Sequence, residues 1–413
     1  MLGTDLKTGK SIVFPALFVN PQHSTEARLL REANERYPIR TGLGIKHIDG
    51  VVVSLKDWAD VKAGLLLSQR VIDENLPRRG YPLRDRVLII DPSLFVLFQG
   101  TRTDKERLFE TELFPDKLRG AISQVSIGQK PIDKIDRAME IVYPQLDSRL
   151  ILNLLRFQIQ NGTDVIVCPS VPLTSQRRFE KQLEKAREMQ STSRILLDTV
   201  LREESKRIDV MNLLTLNLSV IGVERSEEII HALLADHPDQ VGIRLMNLDA
   251  TNTSQVSRFL EFLSELRGYA KSVPIHLLNL NEFGYVTFCY GANTATSPIA
   301  TNPYFQRGEE FDQPPRLGSY YHPIDMSYDT YEVLLAKTRK FEYVLPCHCE
   351  ICSSFENIPR VPNPDWNSFR RIHFLLVKSM EVKEIRDNDS SLKHALRDKF
   401  GRSRQTVWVP YLD

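Results

Sequence analysis

DVIVC (residues 164–168), LLTLNLSV (213–220) and VGIRLM (241–246) are three short apolar runs, and longer charged stretches with a helical period separate them. Each run is apolar on both faces, which is typical of a strand in a parallel sheet that is covered by helices. A strand followed by a helix and a second strand is the repeating unit of α/β proteins. These runs therefore predict a parallel sheet built from strand–helix units.

The same alternation extends along the chain in both directions. Five further runs have the length and composition of strands, namely IVFPALFV (12–19), GVVVSL (50–55), VLII (87–90), VPIHLL (273–278) and the weaker NTATSPI (293–299). Helices are predicted between strands, at 57–75, 176–191, 193–207, 226–235 and 254–269. Eight strands would close a barrel, so we predict an α/β fold, a (β/α)8 barrel of the TIM type. An open doubly wound sheet is the alternative.

Cysteines are rare in this chain, and three of the five lie in the run Pro-Cys-His-Cys-Glu-Ile-Cys. Cys347, Cys349 and Cys352 have the short spacing of metal ligands, and His373 supplies an imidazole further along the chain. Four thiolate and imidazole ligands close a tetrahedral zinc site, and such a closed site is structural. We therefore predict a structural Zn2+ ion. His348 is a rival fourth ligand, but its position between two cysteine ligands keeps its side chain from the same ion.

The zinc motif and the strand pattern together suggest three regions. Residues 1–300 are predicted to form the barrel, with an inserted helical segment near 131–160. Residues 301–340 are rich in Pro, Tyr and charge and have no clear period, so we interpret them as an insertion or a lid. Residues 341–413 are predicted to form a zinc-binding subdomain and a C-terminal helix.

The composition limits the location and the partners of the protein. Its 54 basic and 53 acidic residues are balanced, so net charge alone predicts no polyanionic partner. The chain has no apolar run of about 18 residues and its start has no apolar signal core, so no membrane segment is expected. Cysteines in a metal-ligand spacing fit the cytoplasm. A group of basic residues from Arg370 to Arg404 could contact phosphates, which would make binding salt-dependent.

Polar side chains follow several of the apolar runs, and barrel active sites lie at the carboxyl ends of the strands. The candidates in these places include Asp91, Ser170, Asn217, Asn247 and Asp249. Two carboxylates can share the cleavage of a glycosidic bond, because one attacks the anomeric carbon and the other transfers the proton. Amide and hydroxyl groups can read the edge of a base. Alternatively, Asp91 and Asp249 cap the helices that follow them.

Three blocks of this sequence have a recognisable arrangement. They are VLIIDPSLF (87–95), NGTDVIV (161–167) and the cysteine run with its distal His373. Together they resemble the Asp block, the strand before the base-reading Asp and the zinc motif of the tRNA-guanine transglycosylase superfamily. The resemblance covers about residues 12–390, and strong identity is confined to the zinc motif.

The resemblance implies an enzyme that exchanges guanine in a nucleic acid for a 7-deazaguanine through a covalent nucleotide–enzyme intermediate. Asp91 matches the family's acid/base carboxylate, and the cysteines with His373 match its zinc ligands. The residues assigned to substrate binding are Phe95, Ser170, Asn217 and Asn247.

The sequence also departs from the family pattern. The Gly-Gly of the Asp block is Ser93-Leu94, the base-reading Asp is replaced by Pro169 or Ser170, and the Gly-Gly-Leu after the sixth strand reads Asn247-Leu-Asp249. The family's nucleophilic Asp aligns with Thr296, so Asp249 is our first candidate for that role and Asp312 the second. These departures resemble the branch that inserts 7-cyano-7-deazaguanine (preQ0) into DNA.

The expected partners follow from this resemblance. They are nucleic acid, with DNA favoured over tRNA, a 7-deazaguanine base, accessory modification proteins and a second copy in a homodimer. The alternative functions are a tRNA-guanine transglycosylase of divergent sequence, a noncatalytic nucleic-acid-binding paralogue that lost its nucleophile, and a hydrolase that releases guanine from DNA.

Overall fold

Eight parallel strands form a closed barrel in the computed structural model, with the last strand paired to the first. The structure describes residues 3–36, 47–66, 86–99, 102–125, 137–204, 206–246, 248–250, 252–278, 280, 283–299, 320–323, 327–329, 331–341, 347, 349–353, 364–387, 392–401 and 406–412. After the short strands β1 (Gly3–Asp5) and β2 (Ser11–Val13), the barrel strands are β3 (Ala16–Asn20), β4 (Ile48–Ser54), β5 (Val87–Asp91), β6 (Val165–Cys168), β7 (Asp209–Asn217), β8 (Gln240–Met246), β9 (Ile275–Leu278) and β10 (Thr294–Pro298). The predicted (β/α)8 barrel is confirmed.

Helices cover the outside of the barrel. They are α1 (Ser24–Arg36), α2 (Trp58–Leu66), α3 (Phe95–Gln99), α4 (Arg102–Phe109), α5 (Asp116–Val125), α6 (137–141), α7 (Ser148–Gln160), α8 (Phe179–Glu203), α9 (Val223–Leu234), α10 (Thr253–Ala270) and α11 (Phe283–Phe288). Their apolar faces and the outward faces of the strands share one buried core. In the stretch predicted as an insertion, α7 packs on β6, and Gln158 at its end bonds both the N–H and the carbonyl of Val167.

Two predicted elements differ from the structure in their extent. The run at 12–19 is two strands, β2 and β3, because Pro15 has no N–H to continue a strand ladder. The segments at 176–191 and 193–207 belong to the single helix α8. The Ser193 hydroxyl donates to the Met189 carbonyl at 2.7 Å, so this polar residue is accommodated inside the helix and does not end it.

The interior of the barrel has an apolar floor and a polar rim. Strand β5 shows the pattern, since Ile89 belongs to the interior apolar cluster and Asp91, two residues later, faces the same way at the carboxyl end. The β1–β2 hairpin closes the opposite end with Leu6 and Ile12, which belong to the same cluster. Lys10 of this hairpin region forms an ion pair of 2.7 Å with Asp164. The carboxyl end of the barrel is lined by polar groups that could meet a substrate.

The C-terminal region packs along one side of the barrel. It contains β11 (Tyr320–His322), β12 (Ser327–Asp329), α12 (Tyr331–Phe341), α13 (Glu350–Ser353), α14 (Pro364–Asp387), α15 (Leu392–Gly401) and a 3-10 helix (Thr406–Tyr411). Helix α14 contacts α1, β3 and β4. Arg371 lies 3.7 Å from Glu26 at the start of α1, and Arg386 bonds Asp49 at the start of β4. The His373 end of α14 therefore lies toward the barrel mouth, because α1 follows the carboxyl end of β3.

A buried ionic network joins this region to the barrel. Lys378 of α14 forms an ion pair of 3.0 Å with Glu381, and both side chains are almost fully buried. Tyr285 of α11 and Tyr321 of β11 donate to Glu381 at 2.9 and 2.6 Å. The hairpin of β11 and β12 lies within the stretch interpreted as an insertion or lid, and this network fixes it to α14. Residues 301–319 lie outside the described residues.

Several basic residues of the C-terminal group are buried and have structural partners. Arg370 is 6% exposed, and burial lowers its pKa to about 10. Lys378 belongs to the network with Glu381, and Arg386 donates to the carbonyls of Val13 and Pro15. These three cations are therefore not available to phosphates. In the part of the chain that the structure describes, no helix has the length and apolar character needed to cross a membrane.

Candidate active site and metal centre

Asp91 ends β5 at the carboxyl rim of the barrel, as predicted, and its carboxylate is fully engaged. Its Oδ1 accepts from the Ser93 N–H at 2.9 Å, and its Oδ2 accepts from the Ser93 hydroxyl at 2.9 Å and from the guanidinium of Arg244. Ser93 has a φ of 54°, in the left-handed region, and Ser54 donates to its hydroxyl at 2.7 Å. Asp91 thus forms a tight turn before α3, and its partners lie outside that helix, so it is not a helix cap.

Arg244 of β8 is the residue that sequence reasoning missed. Its guanidinium carbon lies 4.3 Å from the centre of the Phe95 ring, and its side chain is about as buried as that of Asp91. The signal in the sequence was a lone Arg inside the apolar run VGIRLM. A buried charge needs a partner of opposite sign. The partner is Asp91 on β5, three strands from β8 in the barrel, and the linear sequence does not indicate this contact.

A small cavity lies over this ion pair. Its free volume is about 10 Å³, which is room for roughly one water molecule, and it is partly open to solvent. Its polar lining comes from Asp91, Ser93, Ser170, Thr215 and Arg244, and Phe95 adds an aromatic face. Phe95 and Ser170 were predicted to bind substrate, and both are at the cavity. The Ser170 hydroxyl donates to the Leu213 carbonyl at 2.6 Å.

The other predicted site residues do not line this cavity or lie outside the described residues. Asn217 caps the short helix that follows β7, since its side chain accepts from the Ser219 N–H at 2.9 Å. Asp249 is exposed, and its N–H donates to the Gln255 side chain at 2.9 Å. Asn247 and Asp312 are not among the described residues. Within the described ranges, Asp91 is the carboxylate that lines the cavity.

The interior of β10 carries hydroxyls, one of them at Thr296, the residue that the sequence resemblance aligns with a nucleophilic Asp. Thr296 is buried, and its hydroxyl has no hydrogen-bond partner within the described part of the chain. Thr294 lies 2.7 Å from Nδ1 of His276. Burial lowers the pKa of His276 to about 3, so this imidazole is neutral. His276 is therefore a core residue and not a general base at neutral pH.

The four predicted metal ligands lie together in the C-terminal region. The sulfur atoms of Cys347, Cys349 and Cys352 and a ring nitrogen of His373 are all within 4.8 Å of one another, and all four residues are buried. Nδ1 of His373 lies 3.3 Å from the Cys349 sulfur and 3.2 Å from the Cys352 sulfur. This group could bind a metal ion. His348 is outside the described residues.

The surroundings orient the imidazole for such a role. Nε2 of His373 lies 2.8 Å from the carbonyl oxygen of Tyr321 and must donate to it, so Nδ1 faces the sulfur atoms as the free ligand atom. The ring of Tyr320 stacks on the imidazole at 4.4 Å, and its hydroxyl lies 3.3 Å from the Cys352 sulfur. The β11 strand therefore fixes the rotamer and the tautomer of His373.

The thiols of the cluster differ in acidity. Hydrogen bonds with Cys349 and Cys352 lower the pKa of the Cys347 thiol, whereas hydrogen bonds with Cys347 and Cys349 raise the pKa of the Cys352 thiol. Burial on its own would lower the pKa of His373, but hydrogen bonds with Cys347 and Cys349 outweigh it and raise the pKa to about 9. The four groups therefore share their protons, and a bound cation would displace these protons because metal ligands must be deprotonated.

Comparison of the chain with models of known protein families gave no match, and comparison with curated proteins gave none either.

Proposed function

We propose that this protein is a zinc-stabilised transglycosylase that exchanges guanine in DNA for a 7-deazaguanine base, preQ0. The observation that carries the proposal is the pairing of two features in one barrel. Asp91 lies in a cavity at the carboxyl end of β5, and the buried Cys347, Cys349, Cys352 and His373 group lies in the region packed against that barrel. Both features occupy the places that the family resemblance implies.

Zinc is the ion that best fits the metal centre. Three thiolates and one imidazole form a soft donor set without oxygen ligands, which is characteristic of structural zinc sites. Four protein ligands leave no open position for water or substrate, so the ion would stabilise the C-terminal region and take no part in the reaction. The cysteines are all free thiols, which supports a reducing compartment such as the cytoplasm.

The exchange needs a nucleophile and an acid/base. A carboxylate attacks C1′ of the target nucleotide, the bond from C1′ to N9 breaks, and the departing guanine takes a proton at N9. The incoming 7-deazaguanine then loses its N9 proton as it displaces the carboxylate. Asp91 is the group we assign to this proton transfer. Asp249 is the first candidate for the nucleophile and Asp312 the second.

The buried position of Asp91 sets a requirement for its substrate. A target base within a duplex cannot reach the carboxyl end of a barrel strand, so the nucleotide must leave the stack. The departures of this sequence from the tRNA-modifying pattern, which include Ser93-Leu94 in the Asp block, support DNA as the polymer.

Base incorporation tests the proposal directly. We expect the purified protein to incorporate labelled preQ0 or guanine into duplex DNA and not into tRNA. Asp91→Asn should abolish incorporation, while Asp198→Asn, which changes a carboxylate on the outer helix α8, should leave it unchanged. Labelling of tRNA alone would replace DNA by tRNA as the substrate. No labelling of either polymer, with accessory proteins supplied from the source cell extract, would refute base exchange.

A noncatalytic nucleic-acid-binding function is the second candidate, and two observations favour it. Thr296 stands where the family has its nucleophile, and Asp91 is engaged by Arg244. Such a protein would bind DNA but form no covalent bond with it. A protein–DNA adduct that survives denaturation would exclude this function. Loss of that adduct in Asp249→Ala or Asp312→Ala would identify the attacking residue.

A further inference from the structure

The buried pair of Asp91 and Arg244 leaves part of its hydrogen-bonding capacity unused. Arg244 donates to Asp91 through one terminal nitrogen, and its Nε has no acceptor in the described part of the protein. Its side chain is only 6% exposed. An unpaired buried N–H of a charged group is costly, so a native acceptor that enters the cavity would be bound favourably.

The pair presents a donor beside an acceptor at one cavity wall. A guanidinium offers a planar fork of N–H donors, and an ionised carboxylate offers only acceptors. Guanine has O6 and N7 as adjacent acceptors, and it carries N–H donors at N1 and N2 on its Watson–Crick edge. Adenine has an amino donor at the position of O6. A guanidinium that donates through two N–H groups therefore matches O6 and N7 of guanine, whereas the amino group of adenine opposes one of the two donors.

We propose that Arg244 is the specificity-determining residue of this cavity: its guanidinium leaves Asp91 and donates to O6 and N7 of a guanine base that has left the DNA stack. The inference rests on the proposed function for the nature of its substrate. Arg bidentate to O6 and N7 is the most common specific contact to guanine in protein–DNA complexes. The Phe95 ring centre lies 4.3 Å from the guanidinium carbon of Arg244, so the ring is placed to pack against a base that the guanidinium contacts.

The depth of the cavity favours a base over a phosphate as the ligand of Arg244. Asp91 is 2% exposed and Arg244 is 5% exposed, so both are below the rim of the barrel. A flipped nucleotide inserts its base below the rim of its site, while its phosphates stay on the backbone outside. The cavity has room for about one water molecule, so the base would take the space that the Arg244 side chain leaves when it swings away from Asp91. A dianionic or bridging phosphate beside the carboxylate of Asp91 would also meet a like charge.

Release of Arg244 would also prepare Asp91 for its assigned role. The Oδ2 atom now accepts from both the Ser93 hydroxyl and Arg244. When the guanidinium moves to the base, Oδ2 keeps the Ser93 hydroxyl and gains room for a proton or for an N–H of guanine. In the absence of guanine, the ion pair would keep Oδ2 of Asp91 occupied by Arg244.

Binding of short DNA strands tests this inference without any need for turnover. The probes are oligo-dT strands with one central guanine, one 7-deazaguanine, which lacks the N7 acceptor, or one adenine. Fluorescence anisotropy measures their affinities. We expect the wild-type protein to bind the guanine strand about ten-fold more tightly than the 7-deazaguanine strand, and more tightly still than the adenine strand, because each good base contact contributes a factor of about 10–100.

The variants separate recognition from folding. Arg244→Met should remove the preference for N7, and Arg244→Lys should reduce it because an ammonium has no planar fork. Since Arg244→Met leaves the Asp91 carboxylate without its cation, Asp91→Asn/Arg244→Met provides a neutral pair for the same measurement. Arg156→Met is the matched control, because Arg156 on α7 is 47% exposed and pairs with Glu203 away from the cavity.

Each outcome decides the inference. A guanine preference that survives in the folded double variant overturns it, and so does a wild-type protein that binds the three strands equally or binds none of them. Loss of the preference in the Arg244 variants with retention in Arg156→Met supports it. If that pattern occurs and no base is ever exchanged, the recognition role holds and the exchange reaction fails. If exchange occurs and Arg244→Met keeps the preference for guanine, the exchange reaction holds and the recognition role of Arg244 fails.

Discussion

Substitution of Cys349 by Ser should release the C-terminal region from its metal centre. The Cys349 sulfur lies 3.3 Å from Nδ1 of His373, and the two residues are separated by 24 positions in the sequence. A metal bound by both closes the intervening chain into a loop. Serine keeps the size of the side chain but offers a hydroxyl, which is a poor ligand for zinc.

The size of the effect follows from the loop that the metal closes. By the chain-entropy relation for cross-links, a loop of this length stabilises the folded state by about 3 kcal/mol. For a chain of 413 residues that unfolds in one step, the unfolding entropy is roughly 0.9 kcal/mol per degree, so Tm should fall by about 3–4 °C. If the C-terminal region unfolds on its own, its transition should fall by more, because fewer residues share the loss.

Metal analysis and thermal unfolding together measure this effect. The wild-type protein should contain one zinc per chain, and a strong chelator should lower its Tm to about that of Cys349→Ser. The variant should contain no zinc and should not respond to the chelator. Cys289→Ser is the matched control, because Cys289 is a partly buried free thiol outside the cluster, and it should keep both the zinc and the chelator response.

Two results would refute this reasoning. One is purified wild-type protein without any bound metal. The other is a Cys349→Ser variant that retains one zinc per chain and the wild-type Tm, since that would show that Cys349 is not a ligand. Either result would also remove the support that the metal centre gives to the proposed transglycosylase function.

Two further perturbations test the buried polar groups. Lys378→Met should destabilise the protein by about 3 kcal/mol in denaturant unfolding, because the carboxylate of Glu381 is then buried with only the more distant Lys399, at 4.0 Å, as a cation. The variant Lys378→Met/Glu381→Gln should recover most of the loss, and a double variant no more stable than the single one would contradict this account. Burial lowers the pKa of His276 to about 3, against about 6.5 in the unfolded chain, so stability should be complete above pH 6.5 and should fall by roughly 2 kcal/mol by pH 5 as the unfolded state takes up the proton. His276→Gln should flatten this pH dependence, whereas the control His394→Gln, at an exposed site, should leave it unchanged. Denaturant midpoints at pH 7.5 and pH 5 measure the stability change of each variant. An equal change of stability with pH in the two variants would show that His276 does not titrate as described.

The proposed reaction depends on how the carboxylate of Asp91 is freed from its contact with Arg244. In this structure the carboxylate accepts three hydrogen bonds, one of them from the guanidinium of Arg244, so both of its oxygens are engaged. An acid/base role therefore requires that Arg244 move when the base arrives. The exchange assay and the binding assay test the two halves of this mechanism separately.

The sequence was sufficient for the barrel and for the metal group. Each of the eight apolar runs became a barrel strand, because a run that is apolar on both faces can be buried only between the interior and the surrounding helices. Cys347, Cys349, Cys352 and His373 came together because their local spacing already brings the sulfur atoms close, and α14 has only to supply one imidazole.

Contacts between distant segments could not be read from the chain. Local pattern did not show that Pro15 separates β2 from β3 or that Ser193 is accommodated inside α8. It also grouped Asp249 with Asp91 as rim carboxylates, whereas Asp249 is exposed and outside the cavity lining. Whether a polar residue after a strand faces the interior depends on the turn that follows, and that turn is fixed by neighbours from other strands.

Sequence alone determined the eight barrel strands and which side chains can bind a metal, because periodicity and ligand spacing act over a few residues. Tertiary structure alone decided that Arg244 meets Asp91, since the two residues are 153 positions apart and only closure of the barrel, with inward-facing positions at the carboxyl ends of β5 and β8, places their charges in contact. Burial removes the water that would otherwise solvate both groups, so the ion pair and its consequences for recognition exist only in the folded chain.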